Sequence, residues 1–148
     1  MLESDFTRCG ITVFTPQEVR DTGADISAVK TGLMVSLQVF RMDSRINRPV
    51  GILPGGMTSG THRAPEHPRG EAADIAFHLG QTPPISCVVG AALAAGFRGI
   101  GVYHNQFAYS FHLDIGQTYR FWSAWKLHGE TAWRYESLFV DPAERTTR

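Results

Sequence analysis

The sequence predicts an α+β fold in which helices pack against a small, mainly antiparallel sheet. Two apolar stretches have the spacing of helices, and strand-like segments that alternate in polarity concentrate in the second half of the chain. With 148 residues, 43% of them hydrophobic, the chain suits one globular domain with its own core. We expect a single domain over 1–148, with its main body at about 25–122 and an aromatic-rich extension over 123–148.

Helices are expected on both sides of a long irregular stretch. The string TPQEV has the form of a turn that opens a helix. In DISAVKTGLMVSLQVFR, apolar residues at helical spacing predict a helix from Ile26 to near Leu37, followed by an apolar segment that ends at Arg41. Residues 42–69 are rich in Pro, Gly, Ser and Thr and form the irregular stretch. Beyond it, PISCVVGAALAAGF predicts a second helix, with Gly96 placed for a left-handed cap.

Strands are expected mainly after the irregular stretch. EAADIAF alternates as a strand does and places Ala72, Asp74 and Ala76 on one face. GIGVY and FAYSFHLDIG predict two further strands, paired with each other through a turn at HNQ. The tail YRFWSAWKLHGETAWRYESLFV holds all three tryptophans, and we expect a short strand plus packing segments there. The final residues, DPAERTTR, are expected to fray.

The charge balance excludes two classes of partner. The 14 basic and 14 acidic residues cancel, so we expect no nucleic-acid surface and no charge-driven attraction to a membrane. No apolar run approaches the roughly 20 residues that a membrane-spanning helix needs. The first residues, MLESDFTRCG, lack the charged and apolar regions of a secretory signal. We therefore expect synthesis in the cytoplasm without export by a signal of the chain's own.

Two short segments combine histidines with carboxylates. In EHPRGEAADI, Asp74 lies among alanine and isoleucine, where a carboxylate is costly unless it is paired or bound to a metal. His67 precedes it by seven residues. In FHLDIG, strand alternation places His112 and Asp114 on one face. Two histidines and one carboxylate, with a position left for water, are a common open zinc site; a loop histidine and a hydrogen-bonded aspartate are the alternative.

These motifs carry a family resemblance. The pattern H-x-x-G-x-A-x-D, formed by His67, Gly70, Ala72 and Asp74, resembles the zinc-binding motif of the M15 peptidases. That family comprises D-Ala-D-Ala carboxypeptidases and phage endolysin peptidases of the hedgehog/DD-peptidase fold. The segment GIGVYHNQFAYSFHLDIGQTYRFW is similar to the second half of the family pattern, and VFRMDSRINRPVG resembles its arginine-bearing segment. The likeness covers about residues 25–122.

The resemblance implies a set of site residues. It makes His67, Asp74 and His112 the ligands of one zinc ion. Arg41 matches the arginine that would hold a substrate carboxylate or polarise the scissile carbonyl, and Arg45 competes for that role. Zinc held in this way would polarise the carbonyl and lower the pKa of a water molecule toward neutrality.

The chain also departs from the family pattern. Several members carry an acidic general base where this chain has Tyr109, so Asp114 is the remaining candidate base, or else it orients His112. Pro65 stands where members usually have serine, and SGTH brings a second histidine, His62, five residues before the motif. His67 remains the predicted ligand because it keeps the spacing to Asp74. Three residues are expected near the cleft, in contact with substrate: His62, Tyr109 and His104.

The resemblance implies zinc-dependent hydrolysis of peptide bonds in bacterial peptidoglycan, either in stem peptides or in cross-links. A phage-type protein fits best, made in the cytoplasm and acting at the cell wall after release or as a virion component. The alternative is a phage virion structural or assembly protein that keeps the fold and the metal site with little or no catalysis. Tyr109 in place of an acid and the aromatic tail, which suits an interface, favour that alternative.

Overall fold

The computed structural model describes residues 1–60, 62, 64–78, 80–105, 108–127 and 129–140. Over these residues it has four helices and one six-stranded sheet. The helices are α1 (Glu3–Arg8), α2 (Pro16–Asp21), α3 (Thr31–Met42) and α4 (Ile85–Ala94). The strands are β1 (Val50–Ile52), β2 (Ala72–Phe77), β3 (Gly99–Asn105), β4 (Ala108–Asp114), β5 (Arg120–Lys126) and β6 (Arg134–Val140).

The sheet is mixed, with the strand order β1-β2-β4-β3-β5-β6. Four neighbouring pairs are antiparallel, and only β3 and β5 run parallel. The predicted small α+β fold with a mainly antiparallel sheet is therefore confirmed. The register of β2 and β4 places Asp74 opposite His112 and Ala72 opposite Asp114. The sheet thus brings the two carboxylate-histidine segments together.

One face of the sheet forms the core with the helices. Alternate strand residues, among them Ile75, Phe111 and Leu113, are almost completely buried there. Helix α3 contributes four buried side chains, namely those of Leu33, Met34, Leu37 and Phe40. The N-terminal segment before residue 25 also packs into this core through Phe6, Ile11, Phe14 and Val19. The opposite face of β2 and β4, which carries Asp74 and His112, is left for a cleft.

The bounds of the predicted helices need one correction. Helix α3 starts at Thr31 because Asp25 accepts hydrogen bonds from the backbone and hydroxyl of Ser27, which holds the preceding residues in a turn. It continues past Leu37 to Met42, since Phe40 is a further buried anchor. Helix α2, capped by Thr15, and α4, with a positive φ at Gly96, are as predicted, whereas α1 was not predicted.

The C-terminal segment is more regular than its sequence indicated. It forms β5 and β6, of seven residues each, which extend the sheet beyond β3. The expected short strand with packing segments is therefore wrong. The paired strands β3 and β4 are as predicted, but residues 106–107 of their turn and the tail 141–148 lie outside the described residues. Among the described helices, none is long and apolar enough to cross a membrane.

Candidate metal centre

Three side chains bring one donor atom each to a common point. His67 Nε2 lies 3.0 Å from His112 Nδ1 and 3.3 Å from Asp74 Oδ1. His112 Nδ1 lies 3.1 Å from the same oxygen. Two ligands of a tetrahedral zinc ion with bonds of about 2.0–2.1 Å are separated by about 3.3 Å. We call these three side chains the metal centre. The spacing of their ligand atoms therefore fits such an ion.

A glycine-dependent turn delivers His67 to the metal centre. The Gly70 amide donates to the His67 carbonyl at 2.9 Å, and the Lys30 amide donates to the Gly70 carbonyl at 2.9 Å. Gly70 has a φ of +68°, and a Cβ at this position would collide with the carbonyl of Ala28. Only glycine combines this backbone conformation with so close an approach. The glycine of the H-x-x-G-x-A-x-D pattern thus closes the turn that positions the first histidine.

Hydrogen bonds orient both histidines of the centre. His67 Nδ1 donates to the Met57 carbonyl at 2.8 Å. His112 Nε2 donates to Asp114 Oδ2 at 3.1 Å. Metal-binding histidines almost always donate their other ring N–H to such an acceptor, which fixes the ring and its tautomer. Each imidazole therefore has its remaining nitrogen directed at Asp74.

Asp114 lies behind His112 and is fully buried. Besides His112, it accepts hydrogen bonds from the Gly116 amide at 2.8 Å and from Arg120 Nη2 at 3.1 Å. Gly99 makes room for it, because a Cβ at Gly99 would overlap the Asp114 carboxylate. Of the two roles left open for Asp114, these contacts match the orienting one.

The charges of the metal centre favour a cation. Burial raises the pKa of Asp74, but hydrogen bonds from His112 and His67 outweigh it and hold that pKa well below its ordinary value. Burial lowers the pKa of His112, but its hydrogen bonds with Asp114 and Asp74 raise it to about 9. Burial also raises the pKa of Asp114, and the hydrogen bond from His112 reverses this to a lowered pKa. Without a metal, His112 is therefore protonated on both ring nitrogens at neutral pH, and its positive charge takes the place of the cation beside Asp74.

The metal centre forms part of the floor of an open cleft of about 800 Å³. Its aromatic lining residues are Tyr103, Trp122, Trp133 and Tyr135, together with Phe111. Trp122 donates its indole N–H to the Tyr103 hydroxyl at 3.2 Å, and its ring lies 5.1 Å from that of His112. Gly101 permits this arrangement, since a Cβ there would overlap the Trp122 ring. Burial raises the pKa of Tyr103 to about 12, so this phenol keeps its proton at neutral pH.

His62 also lines the cleft, as predicted. Its Nδ1 lies 3.7 Å from Asp74 Oδ2, and its ring stacks on that of His67 with a centroid distance of 3.6 Å. His62, His67 and Asp74 have ligand atoms within 4.8 Å of one another, so this group could bind a metal ion. Two donor sets thus share His67 and Asp74, and they differ in the second histidine.

The structure does not bring Tyr109 and His104 to the cleft lining. Tyr109 packs on the core side of β4, and its ring stacks with that of exposed His104 at 4.4 Å. Strand alternation is the cause, because Tyr109 and His112 point to opposite faces of the same strand. Ser110, which shares the face of His112, lines the cleft in their place.

Neither arginine predicted for the site is found there. Arg41 Nη1 donates to the Val13 carbonyl at 2.6 Å and to Glu18 at 3.0 Å, and its guanidinium lies over the Phe14 ring. Arg45 is paired with Asp43 at 2.6 Å. The prediction for Arg41 assumed that a family position implies a place in the cleft, but this side chain joins α3 to the N-terminal segment instead.

Arg120 is a charged cleft residue that the sequence interpretation missed. It lines the cleft, and its Nη2 lies 2.7 Å from Glu66 Oε1 and 3.1 Å from Asp114 Oδ2. It also connects the residue before His67 to the residue that orients His112. Its sequence signal was an arginine two positions before Trp122, in the segment that resembles the family pattern.

Comparisons with known proteins identify no relative. No protein-family model, no curated protein and no solved structure matches the chain. The function proposed below therefore depends on the donor atoms of the metal centre, their surroundings and the cleft.

Proposed function

We propose that the protein is a zinc-dependent peptidase of the M15 type, with a hedgehog/DD-peptidase-like fold, that hydrolyses peptide bonds in bacterial peptidoglycan. The observation that carries this proposal is the metal centre, in which His67, Asp74 and His112 direct three donor atoms at one point with separations of 3.0–3.3 Å. Their order along the chain and the spacing from His67 to Asp74 are those of the M15 zinc-binding motif that the sequence resembles.

The donor set suits zinc in particular. Two imidazole nitrogens and one carboxylate oxygen form the ligand set of an open catalytic zinc site. Asp74, with 28% of its side chain exposed, opens toward the cleft, whereas His67 and His112 are buried. Zinc bound there would supply Lewis acidity for the scissile carbonyl and lower the pKa of a water molecule toward neutrality.

The surrounding residues hold this site in one geometry. Asp114 fixes the ring and the tautomer of His112, and Arg120 balances the charge of Asp114. The Trp122 ring lies 5.1 Å from the His112 ring, tilted by 47° to it, and borders the cleft beside it. The open shape of the cleft and its aromatic lining suit an extended peptide chain that lies across the metal centre. We propose that peptidoglycan stem peptides or cross-links bind in this way.

The second candidate function is structural and not enzymatic. A virion structural or assembly protein could keep the fold and the metal site with little or no catalysis. The observation that favours it is Tyr109, which stands where several family members carry an acidic base and which packs toward the core. In the proposed peptidase, the protein is made in the cytoplasm and acts at the wall after release or as part of a virion.

Release of peptide fragments from purified peptidoglycan by the zinc-loaded protein separates the two functions. We expect fragments whose masses identify the cleaved bond, and their loss in His67→Ala. His104→Ala is the matched control, because it removes an exposed histidine outside the cleft lining. A folded, zinc-loaded protein that releases no fragments would instead support the structural protein.

A further inference from the structure

His62 lies beside the second carboxylate oxygen of Asp74. His67 and His112 approach Asp74 Oδ1 at 3.3 and 3.1 Å, whereas His62 Nδ1 lies 3.7 Å from Asp74 Oδ2. Each oxygen of a carboxylate can serve as a metal ligand. Asp74 therefore has one oxygen directed at the metal centre and the other directed at a histidine outside the H-x-x-G-x-A-x-D pattern.

The hydrogen bonds of His62 leave its Nδ1 available as a ligand. His62 Nε2 lies 2.7 Å from the carbonyl oxygens of both Gly55 and Ser59. Carbonyl oxygens only accept hydrogen bonds, so Nε2 carries the hydrogen, and in the neutral ring Nδ1 has the lone pair. His67 is held in the same manner by the Met57 carbonyl. An imidazole that donates one N–H to a backbone carbonyl and presents its other nitrogen to a carboxylate is oriented as a metal ligand.

The stacking of His62 on His67 keeps the Nδ1 atom of His62 out of line with the metal centre. The rings of His62 and His67 lie 3.6 Å apart, with an angle of 12° between their planes. The lone pair of an imidazole nitrogen lies in the ring plane, so a bound metal lies close to that plane. Two nearly parallel rings at this separation direct their lone pairs along different lines, so an ion that His67 and His112 hold in the metal centre is not in line with Nδ1 of His62 as well. His62 is therefore the ligand of a neighbouring position and not a fourth ligand of the centre.

We propose that His62 Nδ1 and Asp74 Oδ2 form a second, weaker zinc site that opens to the cleft. This inference rests on the proposed function, which supplies the first zinc ion. It adds a way to regulate the peptidase: at excess zinc, a second ion occupies the cleft floor and inhibits hydrolysis. The site is weak because, with His67 bound to the first ion, only His62 and Asp74 of the group His62, His67 and Asp74 remain for the second, and because Asp74 must balance two divalent cations. The 3.7 Å separation also exceeds the about 3.3 Å expected between ligands of a tetrahedral ion, so His62 must rotate slightly.

Calorimetric titration of the metal-free protein with zinc tests the second site. We expect a tight equivalent followed by a weaker one in the wild type. His62→Phe keeps a flat ring against His67 but offers no ligand nitrogen, so it should retain the tight equivalent and lose the weaker one. His62→Ala, which removes the ring, should show the same loss. His104→Ala, which removes an exposed histidine, should keep both equivalents.

The outcomes distinguish this inference from the proposed function. A wild type that binds a single equivalent, or His62 variants that bind two, overturns the second site and leaves the peptidase proposal intact. A wild type that binds no zinc overturns both. Hydrolysis is an independent readout: excess zinc should lower the wild-type rate relative to the rate at one equivalent, whereas this ratio should stay constant in His62→Phe. Equal inhibition of both proteins would contradict the inference.

Discussion

At the scale of single residues, His112 is held between two carboxylates with different tasks. Its Nδ1 faces Asp74 across the metal centre, and its Nε2 donates to buried Asp114. Asp114 is itself held by the Gly116 amide and by Arg120. A buried charge with this many partners is stable only while all of them are present. The identity of Asp114 therefore matters for the metal even though Asp114 lies outside the cleft lining.

Asp114→Asn should weaken zinc binding while the fold persists. The amide keeps the shape of the side chain but loses the charge that makes His112 a good ligand, and such changes typically cost about 10–100-fold in metal affinity. Competition with a chromophoric chelator measures this change. Asp21→Asn, on an exposed residue of α2, is the control that should leave the affinity unaltered. An unchanged affinity in Asp114→Asn would remove the orienting role of Asp114.

The raised pKa of His112 predicts a pH dependence. In the metal-free protein this pKa is about 9, above the ordinary 6.5, because Asp114 and Asp74 outweigh the effect of burial. Protonated His112 therefore stabilises the metal-free fold fully below about pH 6.5, and this contribution is lost as the pH rises through 9. Zinc needs the neutral ring, so zinc binding near pH 7.5 should release about one proton from His112.

Calorimetry in buffers of different ionisation enthalpy counts the released protons. The apparent zinc affinity should also rise with pH up to about 9, the pKa of His112. A binding enthalpy that is the same in all buffers would show that His112 is already neutral in the metal-free protein.

At the scale of secondary-structure elements, the packing of β3 against β4 and β5 decides the shape of the site. Gly99 of β3 leaves space for the Asp114 carboxylate, and Gly101 leaves space for the Trp122 ring. Strand alternation directs both positions to the cleft face of the sheet. The G-x-G sequence at the start of β3 therefore has a steric role, and a side chain at either position must displace part of the site.

Gly99→Ala should damage the site and the stability together. The added methyl group would overlap Asp114, and overpacking of this kind typically costs about 1–3 kcal/mol. Chemical denaturation measures the free energy of unfolding, and chelator competition measures the zinc affinity; we expect both to fall. Gly51→Ala on the edge strand β1 is the matched control, because no atom lies within 4 Å of its new Cβ. Equal stability of the two variants would contradict this role of Gly99.

At the scale of the whole molecule, the contact between Arg41 and the N-terminal segment lies away from the metal centre. The segment packs into the core through apolar side chains, and Arg41 of α3 holds it through the Val13 carbonyl and Glu18. The metal centre lies on the other face of the sheet, between β2, β4 and the loop that carries His67. Changes to the first contact should therefore alter stability without altering the metal.

Arg41→Ala tests this separation. Loss of a partly buried ion pair and of a charged hydrogen bond to a carbonyl should lower the free energy of unfolding by about 1–2 kcal/mol. Zinc affinity should stay at the wild-type value, since Arg41 contacts no residue of the metal centre. Thermal or chemical denaturation and chelator competition measure the two quantities. Lost peptide release at unchanged stability would instead support the substrate-binding role that the family resemblance implied.

Local patterns were enough for much of the fold and for naming candidate ligands. The period of two in EAADIAF and FHLDIG predicted the strand face of Asp74 and a common face for His112 and Asp114, and the β2–β4 register places Asp74 opposite His112. Helix α4 and its glycine cap were equally local signals. The ends of α3 were not predictable, because a turn held by Asp25 and the burial of Phe40 compete with the apolar pattern.

The sequence by itself determined the small α+β fold class and the strands that carry Asp74 and His112, and it supplied the candidate ligands, because these depend on residue periodicity and donor chemistry. Only the tertiary structure decided that Arg120 and not Arg41 lies at the cleft, that Asp114 orients His112, and that His62 faces Asp74. It also decided the parallel pairing of β3 with β5. These features depend on contacts between residues that are distant in the chain, which no local period encodes.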